Sequence, residues 1–399
     1  MNSPFYLGNI SSGFSLCHGF LPVDDPNELN SDCSRFEAWE SCALSLHKLI
    51  ETSNIRETIE QLPTINIEKL TDRTKVEQMD LAQLERLMGV LSFLAHAYVW
   101  CDPTSPAKRL PKNIAQPWCA VAKKLGRPPV LSYASYALYN WRRLDKTKPI
   151  ELGNICLRQN FLGGIDEEWF ILIHVDIEAK AIPALQALVP LLNSADAADI
   201  TQMKKHLNVI EQSLHDINST MDRMPEKCDP YIYYHRVRPY IHGWKNNPAL
   251  PQGLIYEGVE DYENQPIELK GETGAQSTII PCLDAVFGIE HENNPLRMHL
   301  NEMRDYMPPE HIDFLSYLES RSSVRSTIIA SNNPALKETY NRCLQLIHRF
   351  RTAHYRYAAQ YINKQSQVSN SNPTDIGTGG TPFMAYLNKH KEETQAHML

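Results

Sequence analysis

The chain has 399 residues, of which 42% are hydrophobic and 22% charged, as expected for a globular protein of one large or two ordinary domains. The net charge of −8, without a dense Lys/Arg cluster, argues against binding to nucleic acid or to a membrane surface. The start of the chain lacks a basic segment followed by an apolar run, and the longest apolar stretch, near residues 90–100, is too short to cross a bilayer. Nine scattered cysteines without a CxxC pair indicate reduced thiols, so a cytoplasmic protein is expected.

Most apolar patterns have helical spacing, and no regular alternation of strands and helices is visible, so an all-α fold is predicted. A segment with four prolines follows Trp100 and predicts a smaller N-terminal helical domain at 1–115 and a larger helical domain at 116–399. The boundary could equally lie before Pro128. Within the smaller domain the apolar pattern predicts one helix over 32–60 and a second over 75–100.

The larger domain opens with an aromatic segment at 130–141, which we predict to be helical and buried nearly all round. A turn and a short strand or ribbon are predicted over 146–164. A helix then begins at Asp166, with acids in its first turn, and is predicted to stop at Pro183. His174 lies on the apolar face of this helix. An amphipathic scaffold helix is predicted for 200–224.

Residues 231–248 interleave arginines and histidines with aromatic side chains, and Arg236 is interpreted as solvated. A loop is predicted over 252–278. The polar, Gly-rich segment 366–381 is predicted to be mobile, and a short helix is predicted to begin at Pro382.

The last long helix is predicted over 335–362, with Asn333 as its cap and Pro334 in its first turn. Its apolar stripe recurs every three or four residues and is interrupted by a single polar residue, His354. An imidazole in such a stripe is either a core histidine or a ligand, and the spacing alone does not choose between them.

Several kinds of site are excluded by their missing motifs, because the chain contains no nucleotide-binding glycine pattern, no HExxH and no GxSxG. His174-Val175-Asp176 matches the HxD motif of a non-haem iron triad. Residues i and i+2 of a helix point about 200° apart, however, so the two side chains cannot bind the same iron. Non-covalent haem fits better, since it needs a histidine on a rigid helix, an apolar slot and nearby cations. Oxygen carriers, oxygenases and haem sensors would all meet these conditions.

Ordered sequence blocks between about 127 and 387 resemble the indoleamine 2,3-dioxygenase family. They are RPPVLSYASYALYNW, WFILIHVDIEAKAIP, RVRPYIHGWKNNPALPQGLIYEG, GAQSTIIPCLDAVFGI, MRDYMPPEHIDFLSYLES, RTAHYRYAAQYI and GTGGT. The resemblance implies an all-α enzyme with non-covalent haem b, and a small N-terminal domain that covers the distal side of the haem.

On the haem side, the resemblance implies that His354 is the proximal iron ligand. Arg351 would lie near a haem propionate and pair with Asp284, and Gly274 and Ala275 would lie near the haem edge.

On the substrate side, the resemblance implies that Arg238 binds the substrate carboxylate and that Phe170 and Tyr133 pack on the indole. Thr378 would contact the substrate from a mobile loop. Three residues depart from the family pattern: His174 replaces a serine above the haem, Tyr233 replaces a phenylalanine, and Tyr136 replaces a small cysteine. His174 could hydrogen-bond the indole N–H or coordinate the iron from the far side.

The implied reaction is opening of the indole C2–C3 bond of tryptophan or a related indole by O2, which gives an N-formylkynurenine-type product. The alternative is a haem protein of the same fold that acts on another indole or binds haem and oxygen without catalysis. The family likeness also implies a monomer.

Overall fold

The computed structural model describes residues 16–26, 36–65, 80–102, 104–292, 295–321, 323–366 and 383–399. Within these ranges the chain is mostly helical, with a few strands of two or three residues, which confirms the all-α prediction. None of the helices described is long and apolar enough to span a membrane.

The N-terminal part contains short helices followed by one long helix. They are α1 (Glu37–Leu44), α2 (Leu46–Glu51), α3 (Ile55–Glu60) and α4 (Leu81–Trp100), followed by α5 (Lys112–Leu125). The prediction of a single helix over 32–60 was wrong, because the chain breaks at Ser45 and again at Ser53, whose φ is 59°. α4 begins where Asp80 and Gln83 cap each other in a capping box. The predicted residues 75–79 and 32–35 lie outside the described ranges.

The aromatic segment is buried as predicted, but its helix is a π-helix, Ala134–Leu138, in which Tyr139 N donates to Ala134 O at 3.0 Å. Only one strand of the ribbon lies in the range 146–164 predicted for it: β3 (Ile155–Leu157) pairs antiparallel with β2 (Trp141–Arg143), which precedes that range. A second small sheet has the order β1-β4-β5, formed by Arg109–Leu110, Leu254–Tyr256 and Pro266–Ile267.

The helix that carries His174, α6, runs from Ile165 to Asp196, so the predicted stop at Pro183 was wrong. A proline in a helix costs a backbone hydrogen bond, but packing can offset that loss. Beyond Pro183 the helix buries Leu185, Leu188 and Leu192, largely against α7 (Ile200–Met221), which matches the predicted scaffold helix.

The remaining helices surround α6 and α7. They are α8, which comprises the consecutive pieces Pro230–Ile232, Tyr233–Val237 and Arg238–Ile241, then α9 (Ile279–Phe287), α10 (Pro295–Arg304), α11 (Pro309–Glu319), α12 (Val324–Ser331), α13 (Pro334–Ala358) and α14 (Phe383–Ala396). Asn333 caps α13 as predicted, since its Oδ1 accepts the N–H of Leu336 at 3.0 Å. α13 packs against α7 and α14 and continues into a π-turn at Ala359–Asn363.

The apolar interior forms two clusters. One contains α4, α5 and the π-helix, and the other contains most of α6 together with α7, α9 and α13. Phe170 on α6 packs against both clusters, so the N-terminal half of α6 lies at the junction between them.

Candidate haem site

His174 is held in one tautomer by its own helix. Its Nδ1 lies 2.7 Å from the carbonyl oxygen of Phe170, one turn earlier, and a carbonyl can only accept, so Nδ1 carries the proton. Desolvation by burial lowers the pKa of His174, which keeps the ring neutral. Nε2 therefore presents a lone pair, suited either to accept a hydrogen bond or to bind a metal.

His354 lies on α13, one helical turn after Arg351. A large part of its side chain is not covered by protein atoms, although desolvation lowers its pKa to about 4. Protein atoms therefore surround His354 closely enough to desolvate it while leaving open space next to its ring. The expectation that the packed stripe covers His354 is therefore corrected. His174 also lowers the pKa of His354, so the two imidazoles, from different helices, are close to each other.

An aromatic wall surrounds His174. The Phe170 ring centroid is 4.8 Å from that of His174 and 4.6 Å from that of Tyr233. Tyr133 meets His174 edge-on at 5.9 Å, and Tyr136 lies 6.4 Å from Phe170. The structure thus brings together five of the residues predicted for the substrate side, from three separate stretches of sequence.

Arg238 is completely buried in α8 and lies over the ring of Tyr234, with Cζ 5.4 Å from the ring centroid. Desolvation lowers its pKa, while Tyr233 and Tyr234 raise it. A buried guanidinium next to the wall that includes Tyr233 is a strong recognition element for a carboxylate. Arg236, two residues earlier, is exposed, as expected for a solvated arginine.

Two buried carboxyl groups near the wall were not identified from the sequence. Glu178 is fully buried one turn after His174, and its Oε1 accepts hydrogen bonds from Tyr133 Oη and Ser277 Oγ, both at 2.9 Å. Glu272 is 3% exposed, and desolvation raises its pKa to about 8. The one sequence signal available for Glu178 was its spacing of four residues from His174.

The turn Gly274–Gln276 borders the same region. Gly274 is exposed, and a Cβ at this position would meet no atom within 4 Å, whereas Ala275 is half-buried. Gln276 fixes the turn, because its Oε1 accepts the N–H of Tyr133 at 2.8 Å and its Nε2 donates to Gly271 O at 2.9 Å. Of the two residues predicted for the haem edge, Gly274 therefore has open space beside it.

Arg351 and Asp284 form the ion pair that the resemblance implied, with Nη2 donating to Oδ2 at 2.6 Å. Burial by itself raises the pKa of Asp284, but Arg351 and His291 outweigh it, and the pKa lies below its usual value. Arg351 also donates to Thr394 and to the carbonyl of His390 on α14. The guanidinium thus ties α9 and α14 to the helix that carries His354.

A histidine–carboxylate cluster adjoins this pair. His291 contacts Asp284 Oδ2 at 3.0 Å through Nε2 and Glu393 Oε2 at 2.5 Å through Nδ1. His291, His390 and Glu393 lie close enough together to suggest a metal site. However, the two imidazole rings stack at 4.2 Å and only 22° apart, so their lone pairs do not converge on one ion. We interpret the cluster as an ionic one that holds α14.

Of the predicted site residues, Thr378 lies outside the described ranges. The others form two groups, one around His174 and one around Arg351, and His354 lies near His174. Within the described residues the His354 ring makes no hydrogen bond, so its nitrogens are available to a ligand. A free imidazole on a long helix, a neutral imidazole nearby, an open glycine turn and an aromatic wall fit haem.

A helical interior that brings two imidazoles from different helices close together, beside an aromatic wall, fits an α-helical haem protein. The sequence profile described as Indoleamine 2,3-dioxygenase matches residues 12–397. The chain belongs to the indoleamine 2,3-dioxygenase family.

Similar proteins extend over almost the whole chain. Indoleamine 2,3-dioxygenase 1 of Rattus norvegicus is 35% identical over 400 residues, covering 97% of this chain and 93% of the rat protein. Indoleamine 2,3-dioxygenase of Saccharomyces cerevisiae is 32% identical over 430 residues, covering 95% of this chain and 91% of the yeast protein. A 6-hydroxytryptophan 2,3-dioxygenase of Fusarium equiseti is 30% identical over 393 residues, covering 94% of this chain and 93% of the Fusarium protein.

Proposed function

We propose that this member of the family is a haem-dependent dioxygenase that opens the indole C2–C3 bond of tryptophan or a close relative, with an N-formylkynurenine-type product. The observation that carries the proposal is the neighbouring pair His174 and His354, one imidazole neutral with a free Nε2 and the other, among the described residues, without a hydrogen bond. Haem, when bound, supplies the iron at which oxygen reacts.

His354 would hold the iron of a non-covalently bound haem b. Arg351 and Asp284 would stabilise the helix of that ligand and the propionate side of the haem. Gly274 and Ala275 would lie along the haem edge, since the open space beside Gly274 leaves room for a flat ring.

The distal groups would hold the substrate. Arg238 would bind the carboxylate, Phe170 and Tyr133 would pack on the indole, and Thr378 would contact the amino acid end. His174 Nε2 would accept the indole N–H, because Nδ1 already donates to Phe170. The wall also excludes water, so most of the protein's contribution is orientation and desolvation.

A ring-hydroxylated tryptophan is the second candidate substrate. Tyr136 and Tyr233 both carry hydroxyl groups at the wall, and Tyr136 Oη is buried without a hydrogen bond partner in the described part of the chain. A pocket with unmet hydrogen-bonding capacity favours a substrate that can supply a polar group. The related Fusarium equiseti enzyme is named for 6-hydroxytryptophan.

Three further assignments belong to the proposal. The chain would act as a monomer in the cytoplasm. The smaller domain, residues 1–115, would cover the distal side of the haem, and the larger domain, residues 116–399, would bind it. One apolar cluster includes residues on both sides of this division, such as Trp39 and Trp118, so the two parts pack together.

The first experiment is an absorption spectrum of the purified haem-loaded protein with and without L-tryptophan, followed by an assay for the formylkynurenine product. His354→Ala should lose stably bound haem, and His348→Ala, on the same helix, should retain it. Full haem stoichiometry in His354→Ala would refute the ligand assignment. A haem-loaded protein whose spectrum responds to no indole would favour an oxygen or haem binder over the enzyme.

A further inference from the structure

Tyr133 lies along one turn of α6. Its ring meets His174 edge-on, with 5.9 Å between the centroids, and its hydroxyl donates to Glu178 Oε1 at 2.9 Å. Because His174 and Glu178 are four residues apart in a helix, their side chains share one face. The tyrosine therefore spans the distance from the distal histidine to the buried carboxyl group.

The same carboxyl oxygen holds a second element. Ser277 Oγ donates to Glu178 Oε1 at 2.9 Å, and Ser277 directly follows the turn Gly274–Gln276. Gln276 in that turn accepts the backbone N–H of Tyr133 at 2.8 Å. Tyr133 is thus fixed at its backbone by Gln276 and at its hydroxyl by Glu178, while Glu178 also fixes the turn.

Glu178 occupies an unfavourable environment for a group with a purely space-filling role. It is 0% exposed, and its Oε2 has no hydrogen bond partner within the described residues. Desolvation raises its pKa to about 7, although the hydrogen bonds from Ser277 and Tyr133 lower it. An apolar residue of similar size could fill the same volume without the cost of desolvating a carboxyl group.

We propose that Glu178 is a positioning residue of the indole pocket. Through the Tyr133 hydroxyl and Ser277 it fixes the tyrosine ring and the Gly274–Gln276 turn relative to His174, and in this way it sets the affinity for the indole. The inference rests on the proposed function, because it concerns the pocket in which the indole would lie.

The test uses the haem-loaded full chain and measures the Kd of L-tryptophan from the change in haem absorption. Glu178→Leu removes the acceptor, and Tyr133→Phe removes only the donor hydroxyl. Each is expected to raise Kd about ten-fold, the effect of one lost hydrogen bond. The Kd of the double variant should not exceed the higher of the two single-variant values, because both changes remove the same interaction. Glu178→Gln should keep most of the affinity that Glu178→Leu loses, since its amide oxygen accepts the same two hydrogen bonds.

The matched control is Glu167→Gln, which changes another buried carboxyl group on α6. Glu167 accepts backbone N–H groups of Phe161, Leu162 and Gly163, so it holds a loop and not the pocket. This control should lower the free energy of unfolding in urea and leave Kd unchanged. If Glu178→Leu is not obtained folded, Tyr133→Phe and Ser277→Ala test the same hydrogen bonds.

The outcomes separate the two proposals. If the wild-type spectrum responds to no indole, the proposed function fails, and the role of Glu178 fails with it. If the wild type binds L-tryptophan and the variants bind it equally well while losing stability, only the role of Glu178 is overturned. Non-additive losses of affinity that spare Glu167→Gln support the role.

Discussion

Arg351, which lies three residues before His354 on α13, donates a hydrogen bond from Nη2 to Asp284 Oδ2 at 2.6 Å. The pair is largely enclosed, since the two side chains are 7% and 13% exposed. Through it, α9 and α13 keep a fixed relative position, and the hydrogen bonds of Arg351 to α14 add a third helix. The position of His354 therefore depends on charges that do not touch it.

Asp284→Asn should destabilise the protein strongly, because it leaves Arg351 and His291 without their shared carboxylate. Removing one partner of a buried pair costs about 3–5 kcal/mol of unfolding free energy. Urea denaturation measures this loss, and haem dissociation should become faster in the same variant. The control is Glu211→Gln, which breaks the more exposed Arg342–Glu211 pair between α13 and α7 and should cost less than about 1 kcal/mol. Equal losses in the two variants would contradict the special role of the Asp284 pair.

His96 makes the native state sensitive to acid. It is fully buried, its Nδ1 donates to Tyr240 O at 2.8 Å, and its Nε2 accepts the N–H of Leu131 at 3.0 Å. Desolvation lowers its pKa to about 4, outweighing the hydrogen bond to Tyr240. Between the unfolded pKa of about 6.5 and the folded one, the unfolded chain binds the extra proton, so stability falls as the pH falls.

His96→Gln should therefore reduce the pH dependence of the unfolding free energy between about pH 4 and 6.5, by up to about 1.4 kcal/mol per pH unit. The measurement is a series of urea denaturations at several pH values for both proteins. The variant is expected to be less stable at neutral pH, since a hydrogen bond is lost, so the slope and not the absolute stability is the readout. An unchanged slope would show that His96 does not stay neutral in the folded state.

The local features of the fold could be predicted from the sequence, and the failures have physical causes. The spacing in α7, the Asn333 cap and the burial of Tyr133 and Tyr136 all depend on residues that are near one another in the chain. α6 continues through Pro183 because leucines on its later turns pack on α7, a tertiary contact that the proline rule does not contain.

Long-range contacts explain why part of the site was missed. Tyr133 and Glu178 are 45 residues apart, and Ser277 is 99 residues from Glu178, so no local pattern joins them. The apolar period placed His354 in a packed stripe, whereas the structure leaves much of its side chain uncovered by protein atoms. A stripe defines which way a side chain points, and only the packing of other helices determines whether atoms or space lie there.

Arg238→Lys should raise the KM for L-tryptophan at least about ten-fold, because lysine keeps the charge and loses the two-pronged guanidinium contact. Arg238→Ala should raise it further, since loss of a buried charge pair costs about 2–5 kcal/mol. Steady-state kinetics on the haem-loaded protein provide the values. Arg236→Ala is the control: this arginine is exposed on the same helix and should leave KM unchanged. A KM that responds equally at both positions would exclude Arg238 as the carboxylate-binding residue.

Gly243→Ala should disrupt the backbone crossing that joins the end of α8 to the segment before the Gly274–Gln276 turn. A Cβ at Gly243 would lie 2.2 Å from Gly271 N and 2.4 Å from Leu269 O, both backbone atoms that cannot move aside as a side chain would. Two backbone hydrogen bonds stabilise the crossing. Glu272 N donates to Ile241 O at 3.1 Å, and Trp244 N donates to Leu269 O at 2.9 Å. The expected loss is about 3 kcal/mol of unfolding free energy, at the upper end for overpacking.

Gly89→Ala in the middle of α4 provides the matched control, because a Cβ there meets nothing within 4 Å. This variant should gain about 0.5–1 kcal/mol, as alanine restricts the unfolded chain more than glycine does. Urea denaturation of both variants gives the comparison. Because Arg238 and the Gly274–Gln276 turn lie on the two sides of the crossing, Gly243→Ala should also raise KM, whereas Gly89→Ala should not. Equal stability of the two variants would mean that the backbones can separate without cost at Gly243.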